Sequence, residues 1–292
     1  MLTCLAVSVG QTASSTDSVE ELSGTLKKIH DSGTVVIGYR ESSIPFSYLN
    51  SRGEPIGYSI DLGHAIVDGI SNELDGQTLK IKFVPVTSET RIPAVLNGEI
   101  DLECGSTTNN VQRQKQVAFS PIMFVAGTKL LVRRDSPIQS FRDLAGKTVV
   151  VTEGTTNQEA IKGIADKFAV QMHVVSCKDH AESFEQLVSG KVDAFAGDDV
   201  LLRGLLAKSR VPDDFAVVGE FLSYDPYGIM FRKDDPQLAQ VVNRVFHEMA
   251  QSRELEYTYN RWFLSKLPSG ETLNLPMSPQ LEEIFRALGA PD

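Results

Sequence analysis

The sequence predicts an α/β protein of two lobes with a ligand cleft between them. Short apolar runs alternate with helical patterns from about residue 25 to 250, and this alternation is typical of α/β architecture. The length of 292 residues corresponds to two domains, because one domain spans roughly 100–200 residues. A ten-residue internal repeat indicates that the two units are built alike.

The repeat pairs residues 96–105, which read LNGEIDLECG, with residues 188–197, which read VSGKVDAFAG. In each segment a glycine ends a helix in the C′ position, and a strand follows it. A polar loop then lies at the carboxyl end of the strand, with residues 106–109 after the first segment and Asp198 and Asp199 after the second. Ligands in open α/β sheets bind outside the carboxyl ends of the strands. Two such units facing each other therefore predict a single cleft.

The individual elements follow from local patterns. A β-branched run predicts the first strand at 34–39, and the apolar spacing of Ile60, Ala65, Ile66 and Ile70 predicts a helix at 58–74. The remaining predicted strands are 79–84, 99–103, 129–132, 148–152, 171–175 and 192–195, and the remaining helices are 91–96, 156–166, 181–189, 200–207, 236–252, 255–264 and 279–288.

The charge balance excludes several classes of protein. Lysine and arginine number 28 against 38 aspartates and glutamates, so the net charge is 28 − 38 = −10. Nucleic acid is not an expected partner, because phosphate binding needs a basic face. No run of about 20 apolar residues is present to span a membrane. An anion site on this acidic chain has to be locally basic.

The N-terminal residues 1–22 are predicted to be the remnant of an export leader. Residues 1–10 resemble the second half of a secretory apolar segment, and the polar run 11–21 resembles a mature terminus. A lipoprotein anchor through Cys4 is the less favoured alternative, and a disordered tail fits nearly as well. Cys104 and Cys177 are expected to be free, because they fall in different lobes.

The run from Glu103 to Arg113 predicts an anion site. A strand-like segment changes abruptly into glycine, hydroxyls and amides, which present hydrogen-bond donors to one point. Arg113 follows with a planar guanidinium that suits a carboxylate. Ser106 has no evident histidine base, and the histidines lack metal-ligand spacing, so neither catalysis by a nucleophile nor a metal or cofactor is expected. The five scattered histidines are His30, His64, His173, His180 and His247.

Several segments carry a resemblance to a known family: 36–48, 57–62, 85–93, 104–120, 151–156 and 178–180. Through them residues 25–265 resemble the extracytoplasmic solute-binding proteins of polar amino-acid ABC transporters, and most of all the glutamate/aspartate-binding members. The resemblance implies a type II periplasmic-binding fold, with crossover segments near 120–125 and 219–227. It implies one discontinuous lobe of residues 23–122 plus 222–292 and a second lobe of residues 123–221.

The same resemblance implies roles for nine residues. Arg113, with Ser106 and Thr108, would bind the α-carboxylate of an amino acid, helped by Thr156 at a helix start. Asp198 would bind the ammonium group. By position, either Asp198 or Asp199 could instead cap the following helix at 200–207, and one of the two is expected to do so. The distal carboxylate would be held by Arg40, Ser88, Arg91 and His180.

A count of charges points to the ligand. Three arginines face one dedicated aspartate in the implied site, which matches the two carboxylates and one ammonium of L-glutamate or L-aspartate. A neutral ligand would leave buried positive charge unpaired.

The implied function is that of a monomeric, exported, non-enzymatic binding protein that delivers its ligand to membrane permease subunits. One alternative is a dehydratase of the same fold acting on prephenate- or arogenate-like dicarboxylates, with Glu41 or Glu153 as the general acid. The other is a sensory binding domain.

Overall fold

The computed structural model of the protein describes residues 21–290. The predicted leader and its Cys4 therefore lie outside the described residues, apart from positions 21 and 22. The strands are β1 Thr34–Tyr39, β2 Ser42–Ser43, β3 Ser47–Leu49, β4 Pro55–Ile56, β5 Lys80–Pro85, β6 Leu102–Cys104, β7 Val117–Phe119, β8 Phe124–Ala126, β9 Thr128–Arg133, β10 Thr148–Thr152, β11 His173–Cys177, β12 Ala194–Asp198, β13 Phe215–Val218, β14 Asp225–Tyr227 and β15 Met230–Arg232. The α-helices are α1 Gly24–Ser32, α2 Tyr58–Glu73, α3 Arg91–Leu96, α4 Val111–Gln114, α5 Thr156–Phe168, α6 His180–Val188, α7 Asp199–Lys208, α8 Pro236–Gln251, α9 Glu254–Phe263 and α10 Pro279–Leu288.

The first lobe is built on a five-stranded sheet of order β5-β1-β6-β15-β7. Strand β1 pairs in parallel with β5 and β6, whereas β15 runs antiparallel to β6 and β7. Val35 and Ile37 of β1 are completely buried and belong to a core that includes the apolar faces of α2 and α8. Because β1 and β6 are parallel, the loops that follow them meet at one edge of the sheet, and this edge carries Arg40 and Ser106.

The second lobe repeats the arrangement with a sheet of order β11-β10-β12-β9-β13. Strand β10 lies in parallel between β11 and β12, and its three valines at 149–151 are completely buried, as expected for a strand covered on both faces. The carboxyl ends of β10 and β12 lead into α5 and α7, whose N-termini face the first lobe.

The two lobes are joined by two crossover segments that pair with each other. Strands β8 and β14 form a separate antiparallel pair in the register Asp225–Ala126 and Tyr227–Phe124. This pair overlaps the crossover segments predicted near 120–125 and 219–227. The lobe limits 23–122 plus 222–292 and 123–221 stay a prediction. Among residues 21–290, none of the helices has the length and apolar character that crossing a bilayer requires.

The internal repeat has a clear structural counterpart. Gly98 follows α3 with φ +71° and Gly190 follows α6 with φ +73°, so both adopt the left-handed conformation that ends a helix. Two strand predictions on the repeat are displaced: β6 begins at Leu102 rather than Glu99, because the amides of residues 99 and 100 still bond to the Ala94 carbonyl at the helix end. Strand β12 extends to Asp198, which was predicted to lie in the loop.

Candidate ligand-binding site

A small closed pocket lies between the lobes, at the carboxyl ends of the strands. Seven of the nine residues predicted to bind ligand line it, together with Thr155, Asn157 and Leu201, while Arg40 and Arg113 lie outside its immediate wall. The seven are Ser88, Arg91, Ser106, Thr108, Thr156, His180 and Asp198.

Arg91 begins α3 and is only 2% exposed. Its Nη1 donates to the Thr107 hydroxyl at 2.6 Å and to the Ser106 carbonyl at 3.4 Å. Its Nε has no hydrogen-bond partner among the described residues, and the same holds for the hydroxyls of Ser88 and Ser106 on the same wall. Buried donors without acceptors are costly, so this wall fits an oxygen-rich ligand.

Arg40 directly follows β1 and is 1% exposed. Neither of its Nη atoms has an acceptor among residues 21–290. Burial, and then the charge of Arg91, lower the pKa of Arg40 to about 10, while Glu103 opposes the shift. The guanidinium is thus charged near neutral pH, although its burial without a direct hydrogen-bond partner is energetically unfavourable.

Arg113, on the short helix α4, donates two hydrogen bonds to backbone carbonyls. Nη1 donates to Thr108 at 2.9 Å, and Nη2 donates to Gly154 of the second lobe at 3.2 Å. Each Nη carries two hydrogens, so the guanidinium retains donors for a ligand. Burial followed by the charge of Arg91 lowers the pKa of Arg113 to about 10.

The charge count made from the sequence was wrong, because it missed two buried carboxylates. Glu103 in β6 is completely buried and accepts from Thr107, which in turn accepts from Arg91. Asp225 in β14 is 2% exposed and accepts from Thr108 at 3.2 Å and from Ser223. The arginines therefore have counter-charges in the protein. The case for an oxygen-rich ligand rests on the donors left without acceptors rather than on net charge.

Asp198 ends β12 and forms the acidic side of the pocket. Its Oδ1 accepts from Asn157 at 2.7 Å and its Oδ2 accepts from the Tyr227 hydroxyl. Its side chain makes no capping bond to α7, so the role expected from position alone does not apply to it. Burial, and then the charge of Asp225, raise the pKa of Asp198 to about 7. A bound ammonium group would restore the ionised form.

Two further residues of the second lobe complete the pocket. Thr156 is the first residue of α5, whereas Thr155 serves as the N-cap by accepting from the Gln158 amide. The Thr156 hydroxyl lies 3.2 Å from the Thr108 hydroxyl across the cleft. His180 begins α6, is 3% exposed, and its Nδ1 lies 2.9 Å from the Thr152 hydroxyl.

The lobes are in contact on both sides of the pocket. Besides the bond from Arg113 to Gly154, the backbone of α7 approaches the first lobe at Gly204, where an added Cβ would lie 2.2 Å from the Ile44 carbonyl oxygen. The predicted site residues of the two lobes thus meet in an arrangement in which the lobes touch.

The two acids considered for dehydratase chemistry lie elsewhere. Glu41 is exposed and Glu153 is half-buried, and neither lines the pocket. Among residues 21–290 no group of three or more histidine, cysteine, aspartate or glutamate side chains is placed to hold a metal ion, and Cys104 and Cys177 carry free thiols.

Comparison with known proteins places this geometry in a family. Residues 35–265 match the model of the bacterial extracellular solute-binding proteins, family 3. The chain belongs to this family. It is 46% identical over 268 residues to the L-glutamate/L-aspartate-binding protein of Pseudomonas aeruginosa, covering 91% of this chain and 89% of the relative. It is 41% identical over 283 residues to the glutamate/aspartate import solute-binding protein of Escherichia coli, covering 97% and 93%.

Solved structures of amino-acid-binding proteins share the fold. A mutant of ArgBP from T. maritima superposes with a TM-score of 0.73 at 29% identity, covering 83% of this chain and 100% of that one. An ancestral arginine-binding protein bound to glutamine has a TM-score of 0.72 at 30% identity, covering 80% and 99%. The solute-binding protein thus has the type II periplasmic-binding fold that the sequence resemblance implied.

Proposed function

We propose that the protein binds L-glutamate and L-aspartate between its lobes and delivers them to the membrane permease subunits of an ABC importer. The observation that carries the proposal is a group of five buried donor atoms that have no acceptor among the described residues. They belong to Arg40, Arg91, Ser88 and Ser106. Arg91, Ser88 and Ser106 line a pocket whose other wall holds the Asp198 carboxylate, and Arg40 lies behind that lining.

Each end of an acidic amino acid has a matching group in this arrangement. The ammonium pairs with Asp198, and the α-carboxylate lies near Arg113, Ser106, Thr108 and the N-terminus of α5. Amide groups at a helix N-terminus carry partial positive charge and favour a carboxylate.

The distal carboxylate accepts from the remaining donors, which belong to Arg40, Ser88, Arg91 and His180. The names of the two relatives that are 46% and 41% identical support the same ligand class.

Closure follows from the same contacts. The ligand bridges cationic groups of the first lobe and the carboxylate of the second, and these groups meet only in the closed form. The ligand therefore shifts the population from open to closed. We further propose that the protein is monomeric, exported to the periplasm and without catalytic activity.

Isothermal titration calorimetry on refolded, ligand-stripped protein tests the proposal. We expect tight one-to-one binding of L-glutamate and L-aspartate and much weaker binding of L-glutamine. Tight glutamine binding would agree with a transport function but would contradict the assignment of the donors that bind the distal carboxylate. If none of the three ligands gave a binding heat and the protein turned over prephenate, the dehydratase alternative would replace the proposal.

A further inference from the structure

A chain of hydrogen bonds favours one tautomer of His180, the form with its hydrogen on Nδ1. The chain runs from His180 Nδ1 to the Thr152 hydroxyl at 2.9 Å, to the Ser183 hydroxyl at 3.0 Å, and to the Asp179 carbonyl at 3.0 Å. A carbonyl oxygen only accepts, so the Ser183 hydrogen points to Asp179. Ser183 must then accept from Thr152, and Thr152 must accept from Nδ1–H.

This assignment leaves Nε2 as the ring nitrogen available to the pocket that His180 lines. A neutral imidazole with its hydrogen on Nδ1 has a lone pair on Nε2. A lone pair repels a carboxylate oxygen, whereas it accepts a hydrogen bond from an amide NH₂. Neutral His180 is thus suited to an amide, and only the imidazolium form can donate to a carboxylate.

The charges around His180 keep it neutral until a carboxylate arrives. Burial, and then the charges of Arg40 and Arg91, hold the pKa of His180 well below its ordinary value. Four charged groups face the His180 ring. Two are these arginines of the first lobe, one is Asp179 at the start of its own helix, and one is Asp198, which lines the same pocket. Glu103 lies behind the arginines. A carboxylate placed between the arginines and the ring offsets the positive charge and favours the protonated ring.

We propose that the distal carboxylate of the ligand binds with uptake of one proton at Nε2 of His180, so that this residue selects between carboxylate and amide side chains according to pH. The inference rests on the proposed function, because it takes an acidic amino acid as the ligand.

The second titrating group of the pocket acts in the opposite direction. Asp198, with its pKa of about 7, gives up a proton when an ammonium binds. Glutamate and glutamine share that ammonium, so the effect of Asp198 cancels in the ratio of their affinities. One proton taken up by glutamate alone raises its preference over glutamine about tenfold for each pH unit lowered. The ratio levels off below the pKa of free His180 and above that of the bound form.

Calorimetry in buffers of different ionisation enthalpy measures the proton number directly. Asp198 contributes equally with both ligands, so the difference between their proton numbers reports the distal group. In a series of pH values from about 5 to 9, we expect L-glutamate to take up close to one proton more than L-glutamine between the pKa of free His180 and that of the bound form. Equal proton numbers for the two ligands at every pH would overturn the inference and leave the proposed function intact. Absence of glutamate and aspartate binding at every pH would contradict the proposed function itself.

A matched pair of variants assigns the proton. His180→Gln places a neutral NH₂ donor near the position of Nε2, so we expect glutamate binding without proton uptake and a preference that no longer varies with pH. His173→Gln changes an exposed histidine of the same lobe and should keep the uptake. Uptake that persists in His180→Gln would assign the proton to another group and overturn the inference.

A spectroscopic readout on the unmodified protein covers the case in which His180→Gln does not fold. ¹⁵N NMR of the histidine ring should show the Nδ1–H form in stripped protein and the imidazolium in the glutamate complex. A ring that remains neutral in the complex would overturn the inference.

Discussion

The two walls of the pocket use their polar atoms in opposite ways. On the first lobe the guanidinium and hydroxyl groups of Arg40, Arg91, Ser88 and Ser106 keep donors without acceptors. On the second lobe both oxygens of Asp198 and the Nδ1 of His180 already have partners within the protein. The first wall is completed by a ligand, whereas the second is organised before the ligand arrives. The first wall therefore offers free donors to the carboxylates of the ligand, whereas the second binds the common ammonium through Asp198 and presents His180 to the ligand side chain.

The largest expected effect comes from removing the charge of the second wall. Asp198→Asn keeps the shape of the side chain but leaves a bound ammonium without its counter-charge. Breaking a buried charge pair costs about 3–5 kcal/mol, so affinity for every amino-acid ligand should fall about 10²–10⁴-fold in calorimetry.

Asp199→Asn, one residue further along, is the matched control and should change affinity little, because Asp199 does not line the pocket. Similar losses in the two variants would remove Asp198 from the site.

The next effect distinguishes two arginines of the first lobe, Arg91 and Arg113. Arg91→Ala should weaken glutamate by about 2–4 kcal/mol, because it removes donors from the distal carboxylate, and should weaken glutamine much less. Arg113→Ala should weaken both ligands equally, since they share the α-carboxylate. Calorimetric titration of both variants with both ligands gives the comparison. Equal losses in Arg91→Ala would show that Arg91 does not read the side chain.

Closure can be weakened without touching either wall. In Gly204→Ala the new methyl group would lie 2.2 Å from the Ile44 carbonyl oxygen of the other lobe, so the closed form is strained. Affinity should fall about 10-fold, for a strain of about 1–3 kcal/mol, while the ligand-free protein melts no earlier, because alanine favours a helix.

Gly163→Ala on α5 is the control, since nothing lies within 4 Å of its added Cβ. An unchanged affinity in Gly204→Ala would mean that binding does not need the contact between α7 and Ile44.

The smallest effect comes from the hydroxyl that supports Asp198. The Tyr227 hydroxyl donates to this carboxylate and holds its pKa below the value that burial alone would produce. In Tyr227→Phe the pKa of Asp198 rises further, so protons compete with the ligand ammonium. Affinity relative to wild type should fall roughly 3–10-fold at pH 7, less than the full ~1.5–3 kcal/mol of a hydrogen bond to a charged group, because Asn157 still donates to the carboxylate, and should recover as the pH rises.

Tyr58→Phe is a suitable comparison, because Tyr58 is equally buried but donates to the Met123 carbonyl. A loss in Tyr227→Phe that does not vary with pH would indicate a packing effect only.

Elements with a strong local signal could be predicted closely from the sequence. Strand β1, strand β10, helix α3 and helix α10 begin and end at the predicted residues. The glycines at 98 and 190 were identified from the repeat, since a helix end followed by a strand demands a left-handed residue. The seven predicted residues on the pocket wall came from the family resemblance, and their roles stay a prediction.

The partners behind the wall were not predictable in the same way. Glu103 lies in a three-residue strand and accepts from Thr107, four residues further along the chain, whereas only tertiary packing brings its charge near Arg40 and Arg91. Asn157, the second residue of α5, has the appearance of an ordinary helix start, yet it donates to Asp198 at 2.7 Å. A carboxylate inside an otherwise apolar strand was the available signal for Glu103. No local pattern marks Asn157.

The depth of the pocket has a consequence for the speed of exchange. His180 and Asp198 are 3% and 4% exposed, so a molecule bound to them as proposed is shielded from solvent while the lobes touch. Under the proposed function every ligand, tight or weak, then leaves only after the lobes separate, which places a common ceiling on dissociation rates. Fast unloading therefore calls for a partner that pulls the lobes apart, and competing solute in the surroundings would not hasten it.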